Sequence, residues 1–292
     1  MAKEETPTGA TALRMMIGGQ LRRLREAADI TRKDAGFEIR GSESKISRME
    51  LGRVSFRLRD IEDLLVMYGI TDQAEIERMV NLCREANRPS WWHPYGESLP
   101  DWFQTYLDLE SAASTIRSYE VQLVPGLLQS REYARSLLML GYGHTPLREI
   151  DNRIELRMAR QKVLDRETDP ATLWTVIDEA ALHRPFGGYG VMREQLLALA
   201  EACDRPNVRI QIVRFDSGAH SGAGAPFTWL RFAYPELDDV IYMEHLTGGL
   251  YLDRDADVDA YQAAMEHLCV QAAQPRDTQD IIHEIIRDHY SQ

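Results

Sequence analysis

The stretch from Thr31 to Gly52 constrains the fold more than any other part of the chain, because it encodes two short helices joined by a tight turn. Thr31 and Ser42 are of the residue types that cap helix N-termini. We therefore predict one helix over Arg32–Phe37 and a second over Glu43–Leu51. Glycine tolerates backbone conformations that other residues avoid, and it stands in the turn and after the second helix, at Gly41 and Gly52.

The second of these helices has two different faces. Ile46 and Met49 fall on one side, where they would pack on the domain that carries the helix. Small polar and basic residues occupy the other side, and such a face can enter the major groove of DNA. Arginine and lysine can donate hydrogen bonds to phosphates or to guanine. Serine can bond to different bases, and glutamate can accept a hydrogen bond from cytosine. We expect Glu50 instead to form a structural ion pair with Arg25.

Three further amphipathic helices surround this stretch. Leu13–Ala28, Leu58–Tyr68 and Asp72–Asn87 each repeat apolar residues at three- and four-residue steps. The segment that follows them contains prolines and aromatic residues, which indicates an ordered linker. We predict four regions: a flexible arm (1–11), an all-α five-helix domain (12–88), a linker (89–100) and a second domain (101–292).

Charge is divided unevenly along the chain. The net charge is −12, which by itself argues against a nucleic-acid partner. Residues 1–59, however, contain 13 Lys and Arg against 8 Asp and Glu, whereas residues 60–292 contain 21 against 38. The two-helix stretch thus lies in the positive segment. Because the acidic remainder would repel DNA, we expect contact with DNA only near this stretch.

Two strings in the basic segment carry a family resemblance. LRRLREAADIT and KISRMELGR resemble the helix-turn-helix of Cro/lambda-repressor regulators, the xenobiotic-response-element type, over Leu13 to about Asn87. In that class a glycine normally stands at the position of Arg40, and an apolar residue at that of Gly41. Either the turn is shifted by one residue here, or Arg40 adopts a left-handed backbone conformation.

The resemblance also implies roles for individual residues. The residue that opens the first of the two helices, here Arg32, contacts a phosphate. The start of the second helix and the residues one turn on read base edges: Glu43, Ser44, Ser47 and Arg48. We expect further phosphate contacts from the cap and the basic residues nearby: Ser42, Lys45 and Arg53.

The rest of the chain alternates helix and strand patterns, which predicts a mixed α+β or α/β domain. We expect helices at Asp101–Ala113, Gln129–Leu140, Pro146–Asp165, Val191–Cys203, Asp257–Ala273 and Thr278–His289. We expect strands at Ser118–Val124, Thr172–Ile177, Val208–Phe215, Phe227–Ala233, Val240–His245 and Gly249–Leu252. Multidomain organisation follows, with an all-α head and a mixed second domain.

The second domain resembles a family as well. Three strings carry the resemblance: YLDLESAASTIRSYEVQLVPGLLQSREYA, IDEAALHRPFGG and GGLYL. They are similar to the C-terminal domain of actinobacterial regulators of the WhiJ-like type, from about Trp102 to the end. The resemblance implies a transcriptional regulator that often acts with a small partner protein, in a manner compared to toxin–antitoxin systems. It implies no enzymatic activity.

Three other motifs have a functional and a structural interpretation. Glu179 and His183 would share a helix face as metal ligands do, but the sequence places no third ligand, so an ion pair is favoured. The glycine-rich segment 216–224 lacks the helix of a phosphate loop and is interpreted as a hairpin loop. A candidate partner- or ligand-binding region comprises Trp91, Trp92, Tyr95, Trp102 and His220, although aromatics at a domain junction are more often interface core.

Several classes of protein are disfavoured. No apolar run approaches the length of a membrane span, and the N-terminus lacks the apolar core of a signal peptide. Cys83, Cys203 and Cys269 are odd in number and widely spaced, which favours a reducing cytoplasm over a disulfide framework or a zinc site. We expect no cofactor, no resident metal and no catalysis.

The sequence therefore predicts a cytoplasmic, sequence-specific transcriptional regulator, a homodimeric repressor that binds a double-stranded DNA operator. Its second domain would sense a partner protein or a ligand. Two alternatives stay open. The chain could be the antitoxin-like member of a two-gene module, with DNA binding as autoregulation, or its second domain could be a small-molecule sensor or an enzyme.

Overall fold

A computed structural model describes residues 10–95, 99–141, 146–222, 225–233 and 237–290. The arm predicted at 1–11 and the loop at 216–224 fall partly outside these residues. The helices are α1 (Ala10–Ala27), α2 (Arg32–Glu38), α3 (Glu43–Glu50), α4 (Leu58–Met67), α5 (Gln73–Ala86), α6 (Asp101–Ala112), α7 (Arg131–Gly141), α8 (Leu147–Arg160), α9 (Glu179–His183), α10 (Tyr189–Ala202), α11 (Asp255–Gln271) and α12 (Thr278–His289). The strands are β1 (Thr115–Glu120), β2 (Thr172–Asp178), β3 (Val208–Val213), β4 (Phe227–Arg231), β5 (Val240–His245) and β6 (Gly248–Leu252).

The chain forms two compact units. The first, here called the head, runs to His93 and also takes in Gln104–Ala112 and a short segment around Leu237. Part of α6 therefore groups with the head. Asp108 on α6 shows why, since its carboxylate accepts hydrogen bonds from Thr11 Oγ1 at 2.6 Å and from Trp92 Nε1 at 2.9 Å.

The five predicted helices of the N-terminal region are confirmed as α1 to α5, and each buries its apolar side. Ile17 on α1, Ile46 on α3 and Ile61 on α4 are almost fully buried. The predicted N-caps are present. Thr31 Oγ1 accepts from the backbone N–H of Asp34 at 3.1 Å, and Ser42 Oγ accepts from that of Lys45 at 3.2 Å. Each cap satisfies a backbone donor that the first helical turn leaves unpaired.

The second unit, here called the sheet domain, contains a mixed six-stranded sheet with the order β3-β2-β1-β4-β5-β6. Strands β1, β2 and β3 run parallel, and β1, β4, β5 and β6 pair antiparallel. The parallel strands need long crossover connections, and helices α7 to α10 lie in them. The expected mixed α and β domain is therefore confirmed. No helix in the described part of the chain is long and apolar enough to cross a bilayer.

One face of the sheet packs against α11. Tyr119, Val176 and Trp229 from three strands form a buried cluster with Met265 and Leu268 of that helix. Beside the cluster, arginine and tryptophan alternate in register across four strands. Arg209 pairs with Trp174, Trp174 with Arg117, and Arg117 with Trp229.

Two sequence predictions for this domain were wrong. The first strand spans Thr115–Glu120 and not Ser118–Val124, because its pairing with β2 and β4 begins at Thr115. The glycine-rich segment after β3 does not connect a hairpin. Strands β3 and β4 are separated by β2 and β1, so they are not the neighbouring strands that a hairpin loop would join.

Candidate nucleic-acid interface

The turn between α2 and α3 sets the angle between these two helices. Arg40 has a φ of +49°, so the left-handed alternative is the one that the chain adopts. The N–H of Gly41 donates to the carbonyl of Gly36 at 2.7 Å, and that of Arg40 donates to Phe37 at 3.0 Å. These bonds close α2 in the way that helices with a left-handed C-terminal residue usually end. Gly41 itself does not have a positive φ.

Glycines let α3 approach its neighbours closely. A Cβ on Gly36 would lie 2.9 Å from the backbone of Ser42, and one on Gly18 would lie 2.5 Å from the carbonyl of Met49. Gly52 ends the helix with a φ of +65°, and a Cβ there would lie 2.5 Å from the backbone of Met15. The sequence analysis identified Gly52 but missed Gly18, whose only signal is a glycine pair inside a helical pattern.

The outer face of α3 is open to solvent. Glu43, Ser44 and Arg48 are exposed, and Ser47 is half-buried. Ile46 and Met49 point the other way and are 1% and 2% exposed. The guanidinium of Arg48 lies along the helix, with its Nε donating to the carbonyl of Ser44 at 3.3 Å. The residues predicted to read bases therefore share an exposed surface, and their role stays a prediction.

Glu50 holds three helices of the head together. Its carboxylate accepts from Arg25 Nε of α1 at 2.5 Å and from Arg32 Nε of α2 at 2.8 Å. The predicted ion pair with Arg25 is therefore confirmed, and a second arginine joins it. The hydrogen bond to Glu50 raises the pKa of Arg25 above its usual value. Because Glu50 and Arg25 are both buried, we interpret the carboxylate as a structural group that positions α3.

The residues predicted to contact phosphates lie around α3 in different environments. Ser42 and Arg53 are exposed at its two ends. Arg32 donates to Glu50 through its Nε, and this bond does not use its terminal amino groups. Lys45 donates to Asp60 Oδ2 of α4 at 2.5 Å, so its charge is already paired. The phosphate contacts stay predictions, with Lys45 the least available of the four.

The five residues of the candidate partner- or ligand-binding region divide between the two units. Trp92 belongs to the head, whereas Tyr95 lies in the sheet domain, as do Trp102 and His220. The ring of Trp102 lies beside Gly249, and its carbonyl accepts a hydrogen bond from the hydroxyl of Tyr251. In the head, Trp91 is half-buried.

His220 is on the other face of the sheet. Its Nε2 lies 3.4 Å from the hydroxyl of Tyr119 and 3.7 Å from Asp178 Oδ2. Side chains alternate along a strand, and the registers of β1, β4, β5 and β6 place Tyr119 and Tyr251 on opposite faces. Trp102 and His220 therefore do not line one pocket.

The acid–histidine pair of α9 belongs to a structural network. Glu179 Oε1 lies 3.2 Å from His183 Nε2, and its Oε2 accepts from the backbone N–H of Phe215 at 2.8 Å. Arg214 Nε lies 3.8 Å from the same oxygen. These partners occupy the carboxylate. Within the described ranges, no group of three or more His, Cys, Asp or Glu side chains is placed to hold a metal.

Comparison with known families finds one matching family in each part of the chain. A model described as a helix-turn-helix domain matches residues 17–79, which include α2, the turn and α3. A model described as a domain of unknown function, DUF5753, matches residues 103–284. No curated protein and no solved structure was found to match the chain. The helix-turn-helix suggests a DNA-binding regulator.

Proposed function

We propose that this chain, which belongs to the DUF5753 family, is a sequence-specific DNA-binding regulator that reads its site with α3. One observation carries the proposal. Glu43, Ser44 and Arg48 form an exposed polar face on a short helix whose opposite side is buried in the head. Serine and arginine at these positions can donate to base edges in the major groove, and arginine recognises guanine through two hydrogen bonds.

The surroundings of α3 provide the remaining parts of a DNA site. Ser42 and Arg53 stand exposed at the two ends of the helix, and Arg32 on α2 has terminal nitrogens that its bond to Glu50 does not use. Contacts of this kind fix the register of a protein on the duplex without reading sequence. The excess of basic residues in 1–59 supports the same surface.

We further propose that two copies bind together as a repressor. A single recognition helix reads only a few base pairs, and a two-fold axis doubles the site. The expected operator has two half-sites about one helical turn apart, roughly 10 base pairs, or a multiple of that spacing. The sheet domain would change the spacing of the heads when it binds a partner protein or a ligand. No catalytic step is part of this proposal.

The test compares binding of the full chain to its selected operator and to an unrelated duplex. The double variant Ser44→Ala/Arg48→Ala should lose at least tenfold in preference for the operator, since each lost base contact costs about 1–3 kcal/mol. Arg32→Ala and Arg53→Ala should weaken binding to both duplexes alike. Each should also lower the slope of log K against log salt by about 1.

Arg148→Ala serves as the matched control, because Arg148 is exposed on α8 in the sheet domain and carries the same charge. It should change neither preference nor salt slope. If the double variant keeps the operator preference of the native chain, α3 is not the reading helix.

A further inference from the structure

A cavity in the sheet domain lies between α11 and the sheet face on which this helix packs. Its volume is about 420 Å³, which falls in the lower part of the range of small-molecule sites, roughly 300–1,000 Å³. Its lining comes from α11, from β4 and β5, and from Ser221 and Gly222 after β3. Part of the glycine-rich segment 216–224 therefore lines a cavity.

The inner surface of this cavity is apolar and partly aromatic. The rings of Phe227 and Tyr261 meet edge to face, with their centres 4.9 Å apart, and Met243 lies beside them. Ala260 and Ala264 lie one turn apart on the same face of α11, and their small side chains leave the space open. Aromatic rings and a thioether both make favourable contacts with another aromatic ring. The lining therefore suits a flat aromatic molecule.

The segment after β3 is held against the cavity by the protein itself. Ser221 Oγ donates to the carbonyl of Ala264 on α11 at 2.9 Å. A Cβ on Gly222 would lie 2.5 Å from the ring of Tyr119, so the backbone of this segment rests directly on that ring. Only glycine allows an approach this close. The cavity is thus preformed, as most sites for small ligands are.

Two hydroxyl groups in the lining define the polar chemistry of the cavity. Ser221 donates its hydroxyl hydrogen to Ala264, and Tyr261 donates its own to Sδ of Met243 at 2.9 Å. A hydroxyl oxygen whose hydrogen is engaged can still accept a hydrogen bond. The cavity therefore presents acceptors, which match a ligand that donates from a hydroxyl or an N–H group.

Charge restricts the ligand further. None of the described residues that line the cavity carries a charge. Asp259 and Glu266 are exposed on α11, and residues 60–292 contain 38 acidic against 21 basic side chains. This field repels anions, and an apolar lining provides no counter-charge that would offset the desolvation of a cation. A neutral ligand is therefore favoured.

We propose that this cavity binds a neutral, planar molecule of two or three fused aromatic rings that carries one hydroxyl or N–H donor. The size follows from the volume, since a cavity of about 150 Å³ accommodates a single benzene ring. The ring system contacts Phe227, Tyr261 and Met243, and the donor binds the hydroxyl oxygen of Ser221 or Tyr261. The inference rests on the proposed function in one respect, because it names the class of ligand to which the sheet domain responds.

The first experiment uses 2-naphthol as the probe and measures its Kd for the full chain by ligand-observed NMR, without DNA. The matched ligand is 2-methoxynaphthalene, which has the same ring system but no donor. The native chain should bind 2-naphthol about tenfold more tightly than 2-methoxynaphthalene, a ratio typical of one net hydrogen bond.

The second experiment fills the cavity from the surface. Ala260→Trp should weaken the binding of 2-naphthol at least tenfold, because the new side chain occupies the space that the ligand needs. The fold should tolerate this change, since Ala260 is exposed. Ala263→Trp is the control, because Ala263 is exposed on the same helix and does not line the cavity. It should bind 2-naphthol as the native chain does.

The third experiment removes the two acceptors. Ser221→Ala/Tyr261→Phe keeps the aromatic ring at 261 and should bind 2-naphthol and 2-methoxynaphthalene with similar affinity. A double variant that still prefers 2-naphthol tenfold would contradict the assignment of the acceptors.

The remaining outcomes separate this proposal from the DNA-binding proposal. A native chain that does not bind 2-naphthol, or an Ala260→Trp variant that binds it as tightly as the native chain, overturns the cavity site. Equal affinity of the native chain for the two ligands overturns the requirement for a donor. None of these results depends on DNA. Conversely, Ser44→Ala/Arg48→Ala should lose the operator while binding 2-naphthol as tightly as the native chain.

Discussion

The head and the sheet domain accommodate an arginine side chain in opposite ways. In the head, Arg25 is buried and shares the carboxylate of Glu50 with Arg32. In the sheet domain, the guanidinium carbon of Arg117 lies 4.5 Å from the ring centre of Trp174 and 5.2 Å from that of Trp229. Its Nε is shielded from solvent and finds no hydrogen-bond partner within the described ranges.

The difference follows from what each arginine joins. Glu50 joins α1, α2 and α3 at one point, so the charge pair fixes the position of the helix that we propose reads DNA. Arg117 joins three neighbouring strands whose backbone ladders already hold them in place. A buried charge pair is costly to break from one side, whereas a cation between aromatic rings adds a modest stabilisation. The comparison therefore predicts unequal responses to substitution.

The largest effect is expected from Glu50→Gln, which removes the charge that Arg25 and Arg32 share. It should lower the free energy of unfolding of the head by about 3 kcal/mol, because Arg25 stays buried and keeps only the exposed carboxylate of Glu26 as a counter-charge. Calorimetry of the full chain checks this. Glu26→Gln is the control, since Glu26 is exposed and also pairs with Arg25. Equal effects of the two substitutions would mean that Glu50 is not the central ion-pair partner.

A smaller effect is expected from Arg117→Met, which keeps the bulk of the side chain but removes its charge. It should destabilise the sheet domain by about 1 kcal/mol, the stabilisation expected of a partly desolvated cation over aromatic rings. Denaturant unfolding followed by tryptophan fluorescence measures it. Arg209→Met, which removes an exposed arginine over Trp174 alone, should change stability less. A loss as large as that of Glu50→Gln would contradict the comparison.

The two helix caps of the head allow stability and DNA binding to be tested separately. Thr31→Ala and Ser42→Ala each remove one side-chain acceptor at a helix start and should each lower stability by about 1 kcal/mol. Only Ser42 lies at the start of the proposed reading helix. Thermal melting and operator titration of both variants should therefore give similar melting temperatures but weaker DNA binding for Ser42→Ala. Equal affinities would remove Ser42 from the set of phosphate contacts.

The head could be predicted closely because its signals are local. Each signal lies within a few residues of the helix end that it specifies. These signals are the caps at Thr31 and Ser42, the glycine at 52 and the apolar periodicity. Arg40 was the exception, since the motif alone allowed either a shifted turn or a left-handed residue, and only the backbone decides between them. The glycine contact of Gly18 with Met49 was missed because the two residues lie in different helices.

The sheet domain was less predictable because its strand order depends on pairing between residues that are far apart in the sequence. The pattern of β1 alone placed the strand three residues late, whereas pairing with Thr172 and Arg231 sets its start at Thr115. The same cause explains the error at 216–224. Adjacent strands in the sequence suggest a hairpin, but β1 separates them by pairing with β2 on one side and β4 on the other. His220 and Trp102 were grouped by residue type, which does not reveal the face of the sheet.

The most direct test of the central claim is selection of bound sequences from a pool of random DNA duplexes by the native chain and by the Ser44→Ala/Arg48→Ala variant. The account predicts that the native chain enriches a two-fold symmetric motif and that the variant, folded and still able to bind DNA, enriches none. Enrichment of the same motif by both proteins would contradict the claim that α3 reads the sequence.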